Sequence, residues 1–304
     1  LDCLSEIQDD LKRNICNWIY SLQILSSQDI NIKKCGFQGS TTLMFKNENN
    51  EQCSINNYVF SHIAMTYVGL NTLLILGDDL SKVDRKAVIE GVRALQLDDG
   101  SYCGSLCGCE NDMRFVYCAA CICYILQDWS GMNIERTINF IVKSMSYDYG
   151  IGQGPELESH GGVTYCAIAT LSLLGRLHDT FNRKQLDGLI RWLLFRQVSG
   201  FQGRPNKQED TCYSFWIGAT LKLLDAYQFV NSKEIRDYVL STQNTNEGGF
   251  SKWVDTWPDV MHSYLGLAGL SIMGEDGLIE INPALNISAR ASLWLEKIHD
   301  RWKV

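Results

Sequence analysis

The chain has 304 residues, 45% of them hydrophobic and 20% charged, with a formal net charge of −8. This is the composition of a soluble globular protein long enough to bury a core without disulfides, and its acidic balance excludes nucleic acid and anionic membrane as principal partners. No run of about 18 apolar residues occurs and no basic-then-apolar segment opens this sequence, so no stable membrane insertion is expected, and the twelve cysteines are expected as free thiols in a reducing, cytoplasmic compartment.

At the start, Leu1-Asp2-Cys3-Leu4 reads as the tail of a helix, and the chain is expected to be a fragment whose natural N-terminal helix is missing. A repeat then sets the pattern. The stretches Tyr67–Leu73, Tyr117–Cys123, Tyr165–Leu171, Phe215–Leu221 and Tyr264–Leu270 align on an aromatic anchor at spacings of 50, 48, 50 and 49 residues. Each follows a glycine-bearing turn: Gly36–Gly39, Gly100–Tyr102, Gly150–Gly152, Gly200–Gly203 and Gly248–Phe250. Each anchor opens a helix of small and apolar residues, such as Ala167 to Leu174, and an amphipathic helix follows, such as Ile134 to Lys143 or Gln185 to Phe195. Gly77, Gly175 and Gly274 are predicted left-handed helix ends. Cys103, Cys107 and Cys109 with Cys118, Cys121 and Cys123 invite a zinc-ribbon reading, but the last three sit in an apolar helical run, where cysteine packs as a small hydrophobe.

The predicted fold is all-α, one domain over 1–304 built of about five such units. An open superhelix and a closed α/α toroid both fit helical hairpins of this length. Small residues in the first helices suit an inner layer, and charges such as Arg183, Lys184, Lys233 and Glu234 suit an outer one. Glycine turns that all precede inner helices would gather on one rim, which favours the closed toroid with a site at its mouth.

At that rim, Asp210 and Cys212 enter the fourth inner helix and His262 enters the fifth at nearly the equivalent place. An oxygen, a sulfur and a nitrogen ligand leave a fourth position open, the pattern of a catalytic rather than a structural zinc. His160, Arg204, Lys207, Tyr213 and Lys252 fall on the same rim by repeat position. Converging cations and phenol suit a diphosphate leaving group, although a pair such as Arg204 and Lys207 is more often a solvated loop face. Trp216, Tyr117 and Cys166, each ordinary core packing taken singly, together could line an apolar funnel.

Along nearly its whole length, from Asn17–Gln23 to Pro283–Asn286, the chain resembles the β subunits of protein prenyltransferases, most of all that of type I protein geranylgeranyltransferase. The resemblance runs through His62–Tyr67, Glu110–Cys118 and Arg204-Pro205-Asn206-Lys207. It implies a heterodimer with a helical-repeat α subunit and one Zn²⁺ held by Asp210, Cys212 and His262. It further implies geranylgeranyl diphosphate bound by His160, Arg204, Lys207 and Tyr213, with Trp216 lining the isoprenoid pocket and Arg114 holding the peptide C-terminus. The acceptors implied are C-a-a-X proteins ending in Leu or Phe, such as small GTPases of the Rho, Rac and Rap type. Lys252 stands where farnesyl and Rab-type relatives carry an Asp suggestive of magnesium, so its charge is expected to replace Mg²⁺. Alternatives are a farnesyl-type or Rab-type β subunit, or a non-catalytic helical scaffold. A terpene cyclase is disfavoured, because no acidic protonating cluster is found.

Overall fold

The computed structural model describes residues 4–27, 30–42, 44–46, 52–54, 59–108 and 110–303, so Leu1–Cys3 and Cys109 fall outside the described residues. Twelve α-helices occur among them: α1 (Asp9–Ser21), α2 (Ile63–Ile75), α3 (Arg85–Ala94), α4 (Met113–Ile125), α5 (Ile134–Lys143), α6 (Gly161–Leu173), α7 (Leu177–Thr180), α8 (Arg183–Leu194), α9 (Tyr213–Leu223), α10 (Ser232–Ser241), α11 (Val260–Met273) and α12 (Ala289–Trp302). Among the described residues, no helix is long and apolar enough to cross a membrane.

Two helix types alternate, and residue composition explains both. In α4 every residue from Phe115 to Cys123 is buried, as is every residue of α6 from Val163 to Leu171. Helices that are apolar all round must be covered all round. The partner helices bury one stripe only: Ile235 and Val239 in α10, and Ala291, Leu295 and Ile298 in α12, spaced by one or two turns. Cys118, Cys121 and Cys123 lie buried within α4, as the packing interpretation requires.

The helix ends follow local chemistry. Gly77, Gly175 and Gly274 have φ of 84°, 67° and 80°, the left-handed conformation that a side chain disfavours. The helix anticipated from Gln185 begins instead at Arg183, because Asn182 and Gln185 form a reciprocal capping box. The one anticipated from Ala167 begins at Gly161, where the His160 ring accepts from the Gly162 and Val163 amides.

The glycine turns carry a feature not anticipated from the residues: isolated antiparallel bridges recur at Gln96 with Tyr102, Met145 with Ile151, Gln197 with Phe201 and Gln243 with Phe250. Tyr102, Ile151, Phe201 and Phe250 are all buried there. A hydroxyl near the start of the next helix pins two of these residues and also Phe37, in the first glycine turn. Thr66 accepts from the Phe37 amide at 2.9 Å, Thr164 from Ile151 at 3.1 Å and Ser263 from Phe250 at 2.9 Å.

The chain divides into two compact units, Ile138–Arg290 and Cys3–Thr137 with Ala291–Val304. In the first, α9 packs against both α6 and α11, with α8 and α10 behind them. The α9–α11 crossing is close because Gly269 faces Ser214, and a Cβ at Gly269 would overlap that side chain. In the second unit α2 packs on α4 and α3 on the segment around Ile32–Phe37. There α12 is anchored by Trp294 Nε1 donating to the Asp78 carbonyl at 2.8 Å.

Candidate metal centre

Asp210, Cys212 and His262 all belong to the first unit, and the α9–α11 packing brings them together. Their ligand atoms lie within 4.8 Å of one another, and all three residues are buried. Asp210 and Cys212 precede α9, while His262 lies in the first turn of α11. Between the first two, Thr211 is fully buried and stitched to the neighbouring hairpin. Its hydroxyl donates to the Ser251 carbonyl at 2.7 Å and its amide to the Lys252 carbonyl at 3.2 Å. The Asp210 carboxylate accepts from the Cys212 amide at 3.0 Å, which fixes its rotamer.

His262 is oriented by a residue that the sequence reading missed. Asp259 caps α11, accepting from the Met261 and His262 amides at 2.9 Å each, and its other oxygen lies 2.5 Å from His262 Nδ1. Burial opposes ionisation of Asp259, yet the bonds from the His262 amide and ring hold it below the usual carboxylate range. With Nδ1–H donating to Asp259, Nε2 presents a lone pair, the tautomer in which a metal-binding histidine is fixed by an outer carboxylate. That Nε2 is buried with no hydrogen-bond partner and faces Asp210 Oδ1 at 3.2 Å. Two acceptors so close require a cation or a proton between them. Burial, with Asp210 beside it, pushes the Cys212 thiol far above its ordinary value, so a thiolate there also needs a cation. Oxygen, sulfur and orphaned nitrogen therefore fit a borderline-soft dication such as zinc. Asp259→Asn is expected to weaken zinc binding by about 10- to 100-fold with the helical signal unchanged, as read by competition with a chromophoric chelator.

Beside this cluster lies a pocket of about 270 Å³ lined by Gly203, Arg204, Lys207, Gln208, Asp210, Tyr213, Lys252 and Trp253. Three cations thus share one concavity with a carboxylate of the candidate metal cluster. Lys252 Nζ lies 3.7 Å from Asp210 Oδ2. Arg204 pairs with Glu158 at 3.1 Å, a partner not anticipated, and Lys207 is exposed. His160 Nδ1 accepts backbone amides, so its Nε2 carries the proton and donates to the Tyr213 hydroxyl at 3.1 Å. The Tyr213 O–H is thereby left to serve the pocket; burial, then Cys212 and Asp210, push its pKa up and keep it protonated. Gly203 is required here: a Cβ would overlap the Tyr213 ring. Gly203→Ala is expected to destabilise the protein by about 1–3 kcal/mol through overpacking, measured by urea unfolding.

The remaining sequence-predicted residues are placed as follows. Trp216 on α9 has its ring 5.0 Å from Tyr165, and Cys166 is buried on α6, both in the unit of the metal cluster. Tyr117 and Arg114 lie on α4, in the other unit. Tyr117 stacks edge-on against Tyr67 at 5.5 Å. Arg114 Nη2 is held by Asp112 at 2.6 Å and by Glu110 at 3.0 Å.

Comparison with known proteins places this arrangement. The family model "Prenyltransferase alpha-alpha toroid domain" matches residues 1–287. The chain is 42% identical to the geranylgeranyl transferase type-1 subunit beta of Dictyostelium discoideum, over 98% of this chain and 88% of that protein. It is 41% identical to the Arabidopsis thaliana protein of the same description, over 91% of this chain and 76% of that one. The structure of Candida albicans protein geranylgeranyltransferase-I complexed with GGPP superposes with a TM-score of 0.84 at 26% identity, covering 96% of this chain and 86% of its own. Toroid match, near-complete coverage by β-subunit relatives and a buried Asp–Cys–His cluster agree, and the chain belongs to the prenyltransferase α/α toroid family, among the protein prenyltransferase β subunits.

Proposed function

We infer that the chain is the catalytic β subunit of a type I protein geranylgeranyltransferase, transferring a geranylgeranyl group from geranylgeranyl diphosphate to the cysteine of C-a-a-X proteins with Leu or Phe at X. The observation that carries this reading is one pocket holding three cations and a carboxylate of the buried Asp–Cys–His group. Asp210, Cys212 and His262 would hold one zinc, which supplies a Lewis acid with an open position that lowers a substrate thiol's pKa.

In the reaction a bond forms between the substrate sulfur and C1 of the lipid while the C1–O bond breaks, and the electron pair leaves with the diphosphate. Arg204, Lys207 and Lys252 neutralise that developing charge, and Tyr213 donates to it with His160 behind. Fixed donors need not reorganise as charge moves. Lys252 supplies the charge that Mg²⁺ gives in sibling enzymes, so zinc is required and magnesium is not. Trp216 and Cys166 serve the isoprenoid wall, and the roles of Tyr117 at the isoprenoid and Arg114 at the peptide terminus rest on the family resemblance. The working enzyme is a heterodimer with a prenyltransferase α subunit, acting on small GTPases of the Rho, Rac and Rap type.

The test is a transfer assay on the protein co-expressed with an α subunit, pairing geranylgeranyl or farnesyl donors with Leu-ending or Ser-ending peptides. Geranylgeranyl transfer to the Leu-ending peptide is expected to dominate, to vanish with chelator and to return with zinc. Preference for the farnesyl donor and the Ser-ending peptide would move the chain to the farnesyl branch. Absence of both zinc and transfer would leave a scaffold.

A further inference from the structure

We propose that Trp253 is a positioning residue whose indole face holds the Lys252 ammonium at the pocket wall; the inference rests on the function proposed above for Lys252. The Lys252 Nζ lies 4.4 Å from the centroid of the Trp253 ring, and Trp253 lines the same pocket. Consecutive residues on an extended strand point to opposite faces. The stacking of neighbours 252 and 253 is therefore a property of the turn that follows the Phe250–Ser251 strand.

That turn is tied at both ends of Trp253. The Ser251 hydroxyl donates to the Trp253 carbonyl at 2.6 Å, and the Thr256 hydroxyl donates to it at 2.7 Å. The Trp253 amide donates back to Thr256 Oγ1 at 3.3 Å. The backbone at Trp253 is thus held by three hydrogen bonds, which sets the direction from which the ring leaves the chain. In addition, the indole Nε1 is buried with no hydrogen-bond partner. A ring retained at the cost of an unpaired donor indicates that its face serves something else.

The charge balance explains what it serves. A lysine stem is flexible, and its ammonium is a compact point charge. The carboxylate nearest to Lys252 is Asp210, 3.7 Å away, whose duty in this reading is to the metal. Left to Coulomb attraction alone, the ammonium would close onto that carboxylate, weakening a metal ligand and withdrawing a cation from the pocket. The aromatic face offers a second attractive seat that competes with the carboxylate without consuming an acceptor. Lys252 is thereby held between metal ligand and anion site, ready to follow the charge that develops on the leaving group.

The test uses the full chain with its α subunit, comparing wild type, Trp253→Leu, Trp253→Phe and each combined with Lys252→Ala, with geranylgeranyl diphosphate as donor. Trp253→Leu is expected to lower kcat about ten-fold, the scale of one partly desolvated cation–π contact. Zinc content and peptide KM should stay unchanged, and millimolar Mg²⁺ should restore part of the rate. Trp253→Phe keeps a ring face and should retain most of the rate, while in the Lys252→Ala background Trp253→Leu should cost nothing further. The proposal is overturned if Trp253→Leu is silent, if its loss persists in the Lys252→Ala background or ignores Mg²⁺, or if Phe is as poor as Leu. A wild type without zinc or transfer would instead overturn the functional reading beneath it.

Discussion

Cys212→Ala protein is expected to lose zinc affinity by more than about a hundred-fold, beyond what loss of an outer-sphere partner costs, and to lose transferase activity with it. The fold should tolerate the change. Cys212 is a small side chain at 6% exposure, and deleting one buried sulfur costs on the order of 1 kcal/mol. The metal site cannot absorb it, because removing one of three protein ligands leaves Asp210 and the His262 lone pair to bind alone. Metal analysis of the purified heterodimer checks the first part. Thermal denaturation with and without chelator checks the second: wild type should be destabilised by chelator, since a ligand bound only to the folded state stabilises it by mass action, and the variant should not respond. Stoichiometric zinc in Cys212→Ala would contradict the assignment.

Lys252→Asp should produce the other large effect, a fall in kcat of about 10²–10³ in magnesium-free buffer, the range for removing one fixed donor from developing charge. The direction follows from the pocket. Replacing the ammonium by a carboxylate beside Asp210 changes the local charge by two units and sets two anions side by side. Millimolar Mg²⁺ should recover much of the loss by bridging the new carboxylate and the diphosphate, whereas wild type should be indifferent to it. Steady-state kcat across a magnesium titration measures both. A variant running at the wild-type rate without magnesium would remove Lys252 from the mechanism.

Much of this was legible in the residues because the repeat supplied a register. Aligning the aromatic anchors put Asp210, Cys212 and His262 on neighbouring helix starts, and they meet there. Left-handed glycines at 77, 175 and 274 were readable because helix ends that need positive φ favour glycine. The starts of α6 and α8 were less so. Gly161-Gly162 reads as a breaker until the His160 ring caps it, and Asn182 reads as loop until its box with Gln185 is seen. The two-residue bridges at the turns are too short to leave any alternation in the sequence.

Asp259 was missed although a signal existed. His62, Asp112, His160, Asp210 and Asp259 each stand five residues before their repeat's aromatic anchor. Four of them, His62, Asp112, His160 and Asp259, cap the helix that follows, and Asp210 accepts from the Cys212 amide at the corresponding place. Following that column would have found the carboxylate behind His262. The Arg204–Glu158 pair could not be found so, since it joins two loops 46 residues apart with no periodic relation.

The Thr211 stitch has a corollary for how sibling chemistries diverge. One buried threonine fastens the main chain carrying the Asp and Cys to the loop bearing residue 252. The scaffold at that loop is therefore indifferent to which charge the side chain presents. In the proposed reading, exchange between a built-in ammonium and a borrowed divalent ion would need replacement of that side chain alone, with the Asp210–Cys212–His262 arrangement left in place.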